Sequence, residues 1–184
     1  MGTITRGFAN LITATGPNAV ADGAITAADL ASGVIGINTP YFEAKISANQ
    51  TVTTNTAVKA QFNTENFDTN SNYDNATNYR FTPTTAGKYF CYSHLTVDNG
   101  AGNGRSGRIY FYKNGSEYLM SQTNVGSNTY FTYTNLKISA IIDFNGTSDY
   151  LEVYGYADQP AGSARFNATA GDGSCYFGAF KIIE

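Results

Sequence analysis

From residue 40 onward, apolar and polar residues alternate one by one. In YFEAKISA, Phe42, Ala44, Ile46 and Ala48 fall on one side and Tyr41, Glu43, Lys45 and Ser47 on the other. That is the period of a strand with one face buried. Val58, Ala60 and Phe62 repeat the pattern, as do Tyr79 and Phe81. The runs 88–97, 108–112, 118–122, 130–144, 150–157 and 174–183 are rich in aromatic and β-branched residues and predict further strands. Asn-Gly pairs at 114–115 and 145–146 predict hairpin turns between such runs. No helical period survives past residue 40. About eight to ten strands without strand–helix–strand alternation predict an all-β domain, a two-sheet sandwich or jelly roll.

Residues 1–39 are different in kind, small and aliphatic, with Phe8 as their one aromatic. Within them DGAITAADLASGVIG carries a helix signature. Thr26 can cap it, Asp29 places a carboxylate in the first turn, and Gly33 can end it. A helix of about two turns is too short to stand alone and needs a partner surface. Asn38-Thr39-Pro40 then reads as an extended junction. The expected division is therefore an anchor over 1–39 and a β domain over 40–184.

Composition narrows the function. Of 184 residues, 14% are charged, against about 25% in an average soluble domain. The net charge is −3 with no Lys/Arg stripe, which argues against a nucleic-acid partner. Met1 is followed by Gly-Thr-Ile-Thr-Arg rather than by a basic stretch and an apolar run, so neither a secretory signal nor membrane insertion is expected. Two cysteines, Cys91 and Cys175, lie in apolar runs and are expected as buried thiols, with a single disulfide as the alternative.

Candidate chemistry is sparse. Gly102, Gly104 and Gly107 have the G-x-G-x-x-G spacing of a dinucleotide-binding turn. Such a turn needs a helix after it, to set the pyrophosphate on the helix N-terminus, and here RIYFYKNG predicts a strand. The glycines therefore read as a strand-to-strand loop. His94 is the sole histidine, and its neighbour Ser93 points to the opposite face of the same strand, so the two cannot act as base and nucleophile. No enzyme, metal site or cofactor is expected. Loop carboxylates could hold Ca²⁺, but no calcium-loop spacing marks one. The tyrosines 110, 112, 130, 133, 150, 154 and 156 are read as core or interface, with a sugar-stacking surface as the alternative.

Several pieces, in order, resemble the globular head of complement component one-q, a jelly roll shared with the tumour necrosis factor family. PYFEAKISA resembles its opening strand. Phe62, Asn66, Tyr73, Arg80-Phe81-Thr82-Pro83 and Gly87-Lys88-Tyr89-Phe90 follow in order. RIYFYKNGSEY resembles the next strand and SCYFGAFKII the closing one. The resemblance covers about residues 40–184, is looser over 121–172, and lacks a collagen-like stem. It implies a compact homotrimer packed through aromatic and aliphatic side chains. Residues 1–39 resemble the attachment segments of bacteriophage tail-fibre and virion-surface proteins.

The combined expectation is a virion protein made in the host cytoplasm. Residues 1–39 would contact other virion proteins, and a trimeric jelly-roll head would adhere to host-surface glycan or protein. A capsid-decoration, neck or tail component without receptor binding is the alternative. The loops 70–78, 100–107 and 158–163 are expected to carry binding. Within and beside them, Asn75, Asp98, Asn99, Asn103, Arg105, Arg108, Tyr156 and Asp158 are the candidate ligand-binding residues.

Overall fold

Two antiparallel sheets face each other in the computed structural model, which describes residues 38–100, 102–126, 129–160, 163–168 and 175–182. The helix expected over 26–33, with the rest of the anchor segment before residue 38, lies outside them. The strands are β1 (Tyr41–Lys45), β2 (Gln50–Val52), β3 (Val58–Lys59), β4 (Thr64–Asp68), β5 (Tyr73–Asp74), β6 (Arg80–Phe81), β7 (Gly87–Asp98), β8 (Ser106–Lys113), β9 (Ser116–Asn124), β10 (Tyr133–Phe144), β11 (Leu151–Asp158), β12 (Ala164–Phe166) and β13 (Tyr176–Lys181). All belong to one unit, Asn38–Ile182.

In the first sheet β10, β7, β13, β1 and β4 lie side by side. There β12 continues the line of β13 along β7, and β2 pairs with β12. The second sheet runs β9, β8, β11, with β6 and β3 sharing the far edge of β11 and β5 outside β6. From β6 onward only the steps β8–β9 and β12–β13 stay within one sheet. Every other connection crosses the sandwich, as a jelly roll requires.

The period of two places the core. Tyr89, Cys91, Leu95 and Val97 of β7 face Ile109 and Phe111 of β8 and Leu151, Val153 and Ala157 of β11, all buried. Without tryptophan, phenylalanines fill the middle. Phe42 stacks on Phe81 at 4.4 Å and on Tyr73 at 4.8 Å, and meets Phe177 edge-on at 5.0 Å. Each such ring contributes on the order of 2–3 kcal/mol by leaving water. Both cysteines are free and buried. Burial pushes the Cys91 thiol well up and the Cys175 thiol up to about 11, so both are neutral at ordinary pH.

Four local expectations change. Ala48 is exposed beyond the end of β1, because after Ile46 the chain turns away, held by Asn63 Oδ1 on the Ser47 amide at 2.9 Å. Tyr79 has φ 50°, a left-handed residue at the entry to β6 rather than part of a strand. The run 130–144 begins as strand only at Tyr133. Phe131 instead exchanges two 3.0 Å backbone bonds with Gly104, tying it to the loop before β8. Asn145-Gly146 is no hairpin, since β10 and β11 belong to different sheets. Asn145 Oδ1 there accepts the amides of Thr147, Ser148 and Asp149, closing a broader turn. Asn114-Gly115 does form a two-residue hairpin, with φ of 53° and 78° between paired Lys113 and Ser116.

Candidate functional site

Arg105 joins three strand ends. Its amide donates to the Asp158 carbonyl at 2.9 Å and its carbonyl accepts from Val125 at 3.0 Å. The loop after β7 is thereby pinned between the ends of β9 and β11. Its guanidinium also meets Asp158 Oδ1 at 2.7 Å. One step into the sheet, Arg108 of β8 lies opposite Tyr156 of β11, with the guanidinium 4.6 Å from the ring centre. Arg108 Nη1 sits 3.5 Å from the Tyr110 hydroxyl, and its Nε is buried without a hydrogen-bond partner. The Tyr110 hydroxyl, foremost, raises this guanidinium further above its already high range, so it carries a fixed positive charge.

These arginines and Asp158 line a cleft of about 510 Å³. Ser106, Asn124, Thr129 and Tyr130 line it as well. The Tyr130 ring is 49% exposed. Asp158 neutralises Arg105, whereas Arg108 has no carboxylate within ion-pair distance among the described residues. The cleft therefore presents close to one net positive charge, hydroxyl and amide groups, and one open aromatic ring.

Of the eight candidate residues, the structure brings Arg105, Arg108, Tyr156 and Asp158 together. Asp98 is 1% exposed and turned inward: Oδ2 accepts from Arg165 Nε at 2.7 Å and Oδ1 accepts the Gly100 amide at 2.8 Å. Asn99 is also buried, its amide side chain without a partner beside Gly104. Asn103 is half-buried in the same loop. Asn75 sits elsewhere, in the β5–β6 turn beside the Leu151 end of β11, while the cleft lies at the Asp158 end. Seven residue steps along the strand separate those ends by about 23 Å. Tyr130 belongs to the tyrosines with the sugar-stacking alternative, whereas Asn124 and Thr129 are not among the expected site residues. Their signal was the Asn/Gly/Ser/Thr composition of 123–129, which marks a loop.

Elsewhere, Ser93 donates its hydroxyl to the Tyr176 carbonyl at 2.8 Å, and His94 lies against the Tyr176 ring on the other face. Among the described residues no group of three or more His, Cys, Asp or Glu could hold a metal ion.

The outer face of the first sheet is a second surface of note. Phe90 and Phe180 meet at 5.4 Å, and Tyr92 and Tyr176 at 6.1 Å. Tyr92 donates to Glu43 Oε2 at 2.8 Å, while Asn66 donates to Glu43 Oε1 at 2.8 Å. Burial, then the Glu43 carboxylate, push the Tyr92 phenol up, so it stays a neutral donor. Tyr41, Phe67 and Ile141 extend this face and are open to solvent. The outer face of the second sheet is also tyrosine-rich, with Tyr112 4.3 Å from Tyr154, but there the rings alternate with Lys59, Arg108 and Glu152.

No family model and no curated protein matches the chain. Solved structures do. One is murine APRIL, at TM-score 0.55 and 8% identity over 78% of this chain and 98% of that one. Another is Eiger TNF from S. frugiperda, at TM-score 0.53 and 11% identity over 78% of this chain and 90% of that one. At such identities the likeness is one of fold. The chain is an all-β, tumour-necrosis-factor-like jelly roll.

Proposed function

We propose that residues 40–184 are the homotrimeric head of a bacteriophage virion-surface protein, anchored to other virion proteins through 1–39 and adhering to host-surface glycan or protein. The observation that carries this reading is the outer face of the first sheet. Tyr41, Phe67 and Ile141 are open in a single chain, and between them lie the half-buried rings of Phe90, Tyr92 and Tyr176. An aromatic-rich face of this kind, with Glu43, Lys88 and Lys137 set among the rings, suits an interaction surface. The β9 edge exposes Tyr118, Leu119 and Met120. A face meeting an edge on the next copy is a head-to-tail contact, which ends only when a ring closes. Three copies would display the Arg105 clefts side by side, so weak single contacts reinforce one another.

Sedimentation equilibrium of the full chain tests the assembly. A mass three times the 19.7 kDa chain is expected, and a monomer at micromolar concentration overturns it. Antibody-gold labelling of particles tests the setting. Label at fibre or tail tips supports adhesion, and unlabelled particles remove the virion reading. The second reading, a decoration or neck component, is favoured by the ion pairs Asp98–Arg165 and Arg105–Asp158, which occupy loop charges internally. Label spread over the capsid would select it.

A further inference from the structure

We infer that the cleft lined by Arg105, Arg108, Asn124 and Tyr130 binds a carboxylated sugar residue, an inference that rests on the adhesion role proposed above. Three features lead there. The first is charge. Asp158 holds Arg105 at 2.7 Å, so of the two guanidiniums in the lining Arg108 is the one without an ion-pair partner among the described residues. A singly charged carboxylate matches that one uncompensated charge. The second is preorganisation. Arg108 is clamped over the Tyr156 ring at 4.6 Å, with Nε shielded and unsatisfied, so little side-chain freedom is lost when an anion docks.

The third is the remaining lining. Tyr130 brings a half-exposed aromatic residue to the same lining, and Asn124, Thr129 and Ser106 offer amide and hydroxyl groups. A pyranose presents apolar C–H faces together with hydroxyls, and ring plus hydrogen-bonding groups is what such a ligand needs. About 510 Å³ is room for a short oligosaccharide rather than for a folded peptide.

The test is calorimetric titration of the full chain with sialyllactose and with trigalacturonic acid, using lactose as the neutral control. At least one acidic sugar is expected to bind, with lactose at least tenfold weaker. Arg108→Gln is expected to lower acidic-sugar affinity at least tenfold while Arg108→Lys retains part of it. Tyr130→Ala, at an exposed position that leaves the fold alone, is expected to lower affinity about fivefold and decides the matter if Arg108→Gln fails to fold. Equal binding of lactose, failure of both acidic sugars to bind, or full affinity in folded Arg108→Gln overturns the inference. Labelling of host cells by the same preparation separates the two readings. Cells labelled without acidic-sugar binding remove the cleft and keep adhesion, whereas sugar binding without labelled cells keeps the cleft and removes adhesion.

Discussion

Asp74 shows how one residue shapes a loop. Its carboxylate accepts the amides of Ala76, Thr77 and Asn78 at 3.1, 2.9 and 3.1 Å, and the Asn78 side chain at 2.7 Å. These donors, Thr77 first, hold it at about 2 against an ordinary 3.8. A depressed carboxyl contributes stability above its unfolded value, and that stability is lost as pH falls through the folded one. Asp74→Ala should therefore cost about 1 kcal/mol in urea titrations at pH 6, discounted for the site's exposure. The gap should narrow below pH 4 and close near pH 2, and a gap that ignores pH would point to lost packing instead. The cysteines give a second residue-scale expectation. With both thiols buried and neutral, a thiol reagent should label the native chain slowly and two equivalents on unfolding. Prompt labelling of the native chain would contradict that burial. The cysteines' burial was legible from their apolar runs. The Asp74 turn was not, because its donors are backbone groups that sequence pattern does not aim.

At the scale of elements, β13 and β7 fit only because position 178 has no side chain. A Cβ on Gly178 would lie 2.5 Å from the Tyr92 ring and 2.9 Å from the Phe42 carbonyl. Gly178→Ala should destabilise by about 1–3 kcal/mol. In a Tyr92→Leu background the cost should be smaller, which a double-mutant cycle by chemical denaturation would measure. An unchanged cost in both backgrounds would put the strain on the Phe42 backbone alone. Element type was legible for the longer strands, since a two-residue period needs only local sequence, but not for the short β2, β4, β5 and β12. Element ends were less so. Phe131 has strand-like neighbours on one side, yet its hydrogen bonds go to Gly104. The two Asn-Gly pairs look alike, but only 114–115 joins strands that are neighbours in one sheet.

For the whole molecule, the decisive question is what covers the outer face of the first sheet. Ile141 is 58% exposed, so a charge there leaves the single chain's core untouched. Ile141→Asp, combined with Phe67→Asp, should shift the sedimenting mass from three chains towards one with an unchanged far-ultraviolet circular dichroism spectrum. A trimer that survives both substitutions would place the interface elsewhere.

The sequence by itself determined the all-β class, most of the inward-facing set and the β8–β9 hairpin, because alternation and Asn-Gly turn chemistry are local. It also pointed to the loop of Arg105 and to Asp158. Only the tertiary structure decided that these two, 53 residues apart, share an ion pair, and that Asp98 is spent inside the fold on Arg165. Only the tertiary structure placed Tyr130 and Arg108 in the lining of one cleft and Asn75 far from it. The physical reason is that strand period states which face a side chain takes. Which strands become neighbours, and which loops gather at one end, follows from how two whole sheets close over a shared core.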